Sequence, residues 1–125
     1  MINTVLSIAL GSSIGAILRW YIGVRFNHIY PNIPLGTLLV NMIGGYLIGF
    51  FISFFAHNTT LSSEWRIFII TGFLGGLTTF STFSAEMVNL LQQNNLQLFT
   101  IGLIAHVGGS LLMTVLGIFT YKLFL

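Results

Sequence analysis

The polar positions of this chain divide it into long apolar runs. No charged side chain occurs in residues 1–18, 26–63, 67–85 or 87–121. A helix needs roughly 20 residues to cross about 30 Å of hydrocarbon at 1.5 Å per residue. The runs therefore predict four membrane-spanning helices, over about residues 2–26, 35–56, 65–91 and 96–124. Arg19 interrupts the first run late, and Trp20 and Tyr21 follow it as interfacial aromatics. Pro31 and Pro34, with Asn27 and Asn32, predict the first turn, and Pro34 suits the start of the second helix. His57-Asn58-Thr59-Thr60 makes the second turn. Its Asn-x-Thr triplet matches a glycosylation sequon, but a solvated turn accounts for so short a pattern. Gln92-Gln93-Asn94-Asn95 closes the third span, and Lys122 near the C-terminus can snorkel to the interface. No strand alternation suits a barrel, which needs at least eight strands of about 10 residues. The fold class is an all-α integral membrane protein.

Composition sharpens this picture. Charged residues make up 5% of the 125 and hydrophobic ones 55%, against about 25% charged in ordinary soluble domains. Mean hydropathy is +0.96. Four spans consume some 80 to 90 residues and leave only short turns, so neither a soluble domain nor a phosphate-loop motor fits. Zero cysteines exclude disulfides and thiolate metal sites. A net charge of +2 without a basic cluster gives no nucleic-acid surface. The N-terminal segment has no basic region and no small-residue cleavage site, and is read as a retained first helix.

The basic residues split evenly. With four spans, Arg66 and Lys122 lie on one side and Arg19 and Arg25 on the other. Positive charge then gives the insertion machinery no preferred orientation, which predicts dual topology and pairing as an antiparallel homodimer. If Arg19 is intramembrane and is not counted, the remaining bias is too weak to set an orientation.

Polar residues recur along helix faces. Ser7, Gly11, Gly15 and Arg19 lie four apart in the first helix, as do Thr37, Asn41, Gly45 and Gly49 in the second. The G-x-x-x-G pairs Gly11/Gly15, Gly45/Gly49 and Gly72/Gly76 are explained by close helix packing. Packing does not explain Asn41 or Arg19. A guanidinium some 7 to 8 Å from the bilayer centre is costly unless it meets water or an anion, so Arg19 points to an aqueous vestibule, with snorkelling as the rival. His106, Ser110 and Thr114 make a polar stripe on the fourth helix. Each could bond back to its own helix, but three in register suit an ion that is partly dehydrated and weakly held. No second His or carboxylate stands at metal spacing beside His106. Glu86 is the one carboxylate inside a span, and fits a proton-coupling role, a pore mouth or pairing with an arginine.

The third helix carries Gly72-Phe73-Leu74-Gly75-Gly76-Leu77-Thr78-Thr79-Phe80-Ser81-Thr82-Phe83. Adjacent glycines favour unwinding, and Thr78 or Thr79 can cap a restarted helix, so the helix is expected to break at mid-membrane near residues 75–79. Such backbone survives in a membrane only where protein or a cavity covers it, and its freed carbonyls coordinate cations. Two chains crossing there would supply two carbonyls each to one ion. Phe80 and Phe83 share a face, and their positive ring edges could line a dry anion path.

Gly15-Ala16-x-x-Arg19-Trp20, Pro34-x-Gly36-Thr37-Leu38-x-x-Asn41-x-x-Gly44 and the Gly-Gly-x-Thr-Thr-Phe-Ser-Thr-Phe run resemble the signature segments of the CrcB/Fluc fluoride channels, over nearly the whole chain. The resemblance implies a dual-topology antiparallel homodimer with two fluoride pores in the bacterial plasma (inner) membrane. It implies a central structural sodium ion on the backbone carbonyls of Gly75 and Thr78. It implies that Phe80 and Phe83 line the pore with Asn41, that Ser81 and Thr82 lie beside them, and that Arg19 and Thr37 serve the vestibule, where Glu86 is also assigned. His106, Ser110 and Thr114 would form the polar track, in which His106 departs from a hydroxyl pattern. The expected activity is passive fluoride conduction, not catalysis, with lipid, fluoride, sodium and a second copy as partners and no nucleic acid. One rival is a non-transporting membrane subunit; the other is a small proton-coupled exporter of the multidrug-resistance type. It needs a carboxylate in the first helix, which has none, so Glu86 would have to serve instead.

Overall fold

A computed structural model describes residues 1–125 as helices joined by short turns. The first span is α1 (Ile2–Phe26) and the second α2 (Leu35–His57). The third comprises α3 (residues 63–77) and α4 (Phe80–Gln92), and the fourth is α5 (Leu96–Lys122). All four segments are long and apolar enough to cross a membrane. This is a multi-pass membrane protein.

Local chemistry explains the ends. Pro34 flanks α2 with extended backbone, and Asn27 Oδ1 accepts from Thr37 N–H at 3.1 Å, satisfying one of the donors a helix start leaves free. Asn95 Oδ1 likewise accepts from Leu98 N–H at 3.1 Å at the start of α5. Asn94, at φ 57°, makes the preceding turn in the left-handed region that asparagine tolerates.

Glycines set which helices touch. Gly11 and Gly15 of α1 face α3, where a Cβ on Gly15 would strike the Phe73 carbonyl and lie 2.7 Å from Leu77 N. A Cβ on Gly49 of α2 would meet the Thr114 carbonyl of α5. The backbones of α1 and α3, and of α2 and α5, therefore approach closely, as small residues allow in lipid. Val40, Leu74 and Leu77 are buried between the pairs, and Phe83, Met87 and Leu90 form a second cluster under α5. Most other large apolar side chains face outward, because lipid is no worse a neighbour for them than a core.

The third span is broken at Thr78 and Thr79, whose backbones are extended (φ −85°, ψ 157° and φ −150°, ψ 120°). Gly75 and Gly76 are not the unwound residues. Gly75 is helical (φ −62°, ψ −36°), and a Cβ on Gly76 would come within 2.5 Å of the Ser12 carbonyl. Gly72 and Gly76 are the glycines that let α3 press on α1, and the unwinding begins only past that contact. Two π-helical stretches, Ile67–Leu74 in α3 and Ile104–Gly108 in α5, flank the break and widen the helices there.

Candidate functional site

The break is held open by one side chain from another helix. Asn41 Oδ1 accepts from Thr79 N–H at 2.8 Å, and Asn41 Nδ2 donates to Thr79 O at 3.0 Å. In a continuous helix Thr79 N–H would bond Gly75 O, and Thr82 N–H would bond Thr78 O. Thr82 N–H goes instead to the Thr79 hydroxyl at 3.2 Å, capping α4. The Gly75 and Thr78 carbonyls thus lose their helical donors. Gly75 lies exposed on the outer face of the span.

Two grooves meet at this point. The first, about 420 Å³, runs between α2, α3, α4 and α5 and is bordered by Asn41, Gly75, Thr78 and Thr79. Phe80 and Phe83 close one wall, and His106, Ser110 and Thr114 make the other. The Phe80 and Phe83 rings are 5.5 Å apart at 65°, and Phe83 lies 4.5 Å from the His106 ring at 34°. Phe83 is 5% exposed and Phe80 75%. The Thr114 hydroxyl lies 2.9 Å from Gly45 O and 3.0 Å from Ser110 O. The Ser110 hydroxyl bonds nothing in the chain and is free to donate into the groove.

The second groove, about 350 Å³, is lined by Arg19, Thr37, Thr79 and Thr82, with Trp20 and Gly36. Arg19 Nε donates to Gly76 O at 3.0 Å. One of its five N–H donors is thereby anchored to the last turn of α3, and the rest of the guanidinium stays free for the groove. Thr79 Oγ1 donates to Thr82 Oγ1 at 3.1 Å, so the Thr82 hydrogen is also available.

Two of the expected site residues stand outside both grooves. Ser81 is exposed on the outer face of α4, beside Phe80 and Ser84. Glu86 is reached from the second groove only through Thr37, whose Oγ1 donates to its Oε2 at 2.7 Å. Its Oε1 is buried without a partner, and no arginine pairs with it. Sequence reasoning missed Thr79, which the tandem Thr78-Thr79 signalled only as a cap and which borders both grooves. It also missed the contact of Asn41 Nδ2 with His106 Nδ1, at 3.2 Å across 65 positions of chain. No local pattern encodes a pair so far apart.

Four apolar spans, one unwound where a polar side chain of another helix clamps its backbone, with largely apolar grooves on either side that carry a few polar side chains, define an integral membrane protein built for passage of a small solute. Comparison with known proteins specifies it further. The family model described as CrcB-like protein, Camphor Resistance (CrcB), matches residues 6–118, and the chain belongs to that family. A relative from Tolumonas auensis, named fluoride-specific ion channel FluC, is 59% identical over 98% of this chain and 97% of its own length. Proteins of the same name from Pseudomonas paraeruginosa and Acinetobacter baylyi are each 55% identical, over 96% and 98% of this chain and 94% and 96% of their own lengths.

Proposed function

We propose that this protein is a fluoride-selective ion channel that lets cytoplasmic fluoride leave passively, in bacteria across the inner membrane, with no bond made or broken. The observation that carries the reading is that Thr79, at the unwound point of an apolar bundle, borders both grooves. The names of relatives more than half identical along nearly their full length specify the ion.

In this reading the Arg19 guanidinium draws the anion into the second groove. The free hydroxyls of Thr82 and Ser110 and the ring edges of Phe80 and Phe83 then replace its water. Fluoride is smaller than chloride and accepts stronger hydrogen bonds, so a narrow path of neutral donors favours it. Asn41 lines the path, but both of its N–H groups are occupied, by Thr79 O and His106. Its part is to hold the break. Thr37 lines the vestibule and bonds Glu86 just outside it, and Ser81 adjoins Phe80 on the outer side.

The working unit in this proposal is an antiparallel homodimer with two pores. What supports it is the face at the break: the Gly75 and Thr78 carbonyls, left without helical donors, cannot face hydrocarbon unpaired, and a second copy crossing there would cover them. The Gly75 and Thr78 carbonyls fit the implied sodium ion, since Asn41 and Thr79 release those two from their helical donors, and carbonyl oxygens suit sodium. The ion would supply fixed positive charge between the copies. The exporter reading is not favoured, because Glu86 is tied to Thr37 outside both grooves.

Fluoride efflux from proteoliposomes, followed with an ion-selective electrode, tests the function. Fluoride flux far above chloride flux is expected, and insensitive to an imposed proton gradient. Equal chloride flux, or no flux of either ion, refutes it.

A further inference from the structure

The Asn41 amide can adopt only one orientation. Thr79 N–H can only donate and Thr79 C=O can only accept, so Asn41 Oδ1 must face the former, at 2.8 Å, and Nδ2 the latter, at 3.0 Å. The second hydrogen of Nδ2 then points to His106 Nδ1 at 3.2 Å. An imidazole nitrogen facing an N–H donor must carry a lone pair. His106 therefore has no proton on Nδ1, and its single ring proton sits on Nε2. The ring is 4% exposed and is held in plane by Phe83, 4.5 Å away at 34°. Nε2 bonds no other group of the chain.

We propose that His106 is a positioning residue: as a neutral Nε2–H imidazole it accepts from Asn41 through Nδ1, and so locks the amide that keeps the third span unwound. The contact completes a chain from the fourth span through the second to the third, His106 to Asn41 to Thr79, which no single helix could stabilise. An imidazolium or an Nδ1–H tautomer would set two donors against each other at 3.2 Å and loosen the clamp on Thr79. The dependence of flux on this clamp rests on the channel reading, whereas the tautomer does not.

Two measurements test it. In protein labelled with ¹⁵N-histidine and reconstituted in lipid at neutral pH, the His106 signal is identified by its loss in a His106 variant, since the chain has three histidines. Nδ1 is expected to resonate as an unprotonated imine nitrogen and Nε2 as protonated. The opposite tautomer or an imidazolium overturns the proposal, even for protein that carries no fluoride. Isosteres then separate the two nitrogens. In His106→Asn, Oδ1 sits on Cγ where Nδ1 sits, so the acceptor is kept. In His106→Gln, the amide nitrogen approximates Nε2 and the Nδ1 acceptor is lost. With wild-type flux as reference, His106→Leu and His106→Gln are expected to lose about tenfold, the effect of one hydrogen bond, while His106→Asn rescues flux to within about threefold. An active glutamine variant beside an inactive asparagine variant overturns the proposal, as does equal loss in all three.

Discussion

Replacing Asn41 by alanine removes both bonds that hold the third span open, 2.8 Å to Thr79 N–H and 3.0 Å to Thr79 O. Each main-chain group left unpaired in the apolar bundle costs about 1–3 kcal/mol, so the extended form of Thr79 loses about 2–6 kcal/mol. An alternative is at hand, because Thr79 N–H can return to Gly75 O and continue α3. That closure would consume one of the two carbonyls offered to a cation and move Phe80 around the helix axis. At about 1.4 kcal/mol per factor of ten, even the smallest of these losses lowers the open population about 30-fold. The N41A variant should therefore lose at least that much fluoride efflux in proteoliposomes while remaining folded, since the α1/α3 and α2/α5 contacts are untouched. Asn41→Asp should lose as much: its carboxylate still accepts from Thr79 N–H, but turns an oxygen toward Thr79 O and another lone pair toward His106 Nδ1. Flux within about threefold of wild type in either variant would refute the clamp.

Other expectations follow from the same geometry. Phe80→Ile should cut fluoride flux by about tenfold through loss of a ring edge and leave thermal stability unchanged, because Phe80 is 75% exposed; undiminished flux would remove it from the path. Gly49→Ala should destabilise the protein by about 1–3 kcal/mol as its Cβ meets the Thr114 carbonyl. Gly108→Ala, whose nearest neighbour is 4.0 Å away, should stay within about 0.5 kcal/mol of wild type; the two are compared by denaturation in detergent. Thr37→Val leaves both Glu86 oxygens unpaired and should reduce flux and stability together, with Thr37→Ser restoring both; equal behaviour of the two variants would show that the hydroxyl is idle. Reporters fused to the C-terminus and active on one side of the membrane only should give signal from both sides, and signal from a single side would end the dual-topology reading.

The sequence by itself determined that the chain is helical and lives in a membrane. That information is one-dimensional: uncharged runs of sufficient length can bury their backbone groups in lipid only as helices, whatever their neighbours. The glycine ridges, and the Gly-Gly-Leu-Thr-Thr-Phe run that marks the third span for interruption, were legible for the same reason, since each lies within a few turns of one helix. The tertiary structure decided where the interruption falls and what it does. Gly75 and Gly76 had the local freedom to unwind, but Gly76 is packed against the Ser12 backbone of α1 and both stay helical. Unwinding passed to Thr78 and Thr79, where Asn41 from another span supplies the missing bonds. Arg19 on Gly76, Thr37 on Glu86 and Asn41 between Thr79 and His106 join residues 38 to 65 positions apart. Hydrogen bonds of that range are set by which helix faces pack together, and packing among apolar spans is decided by shape in three dimensions.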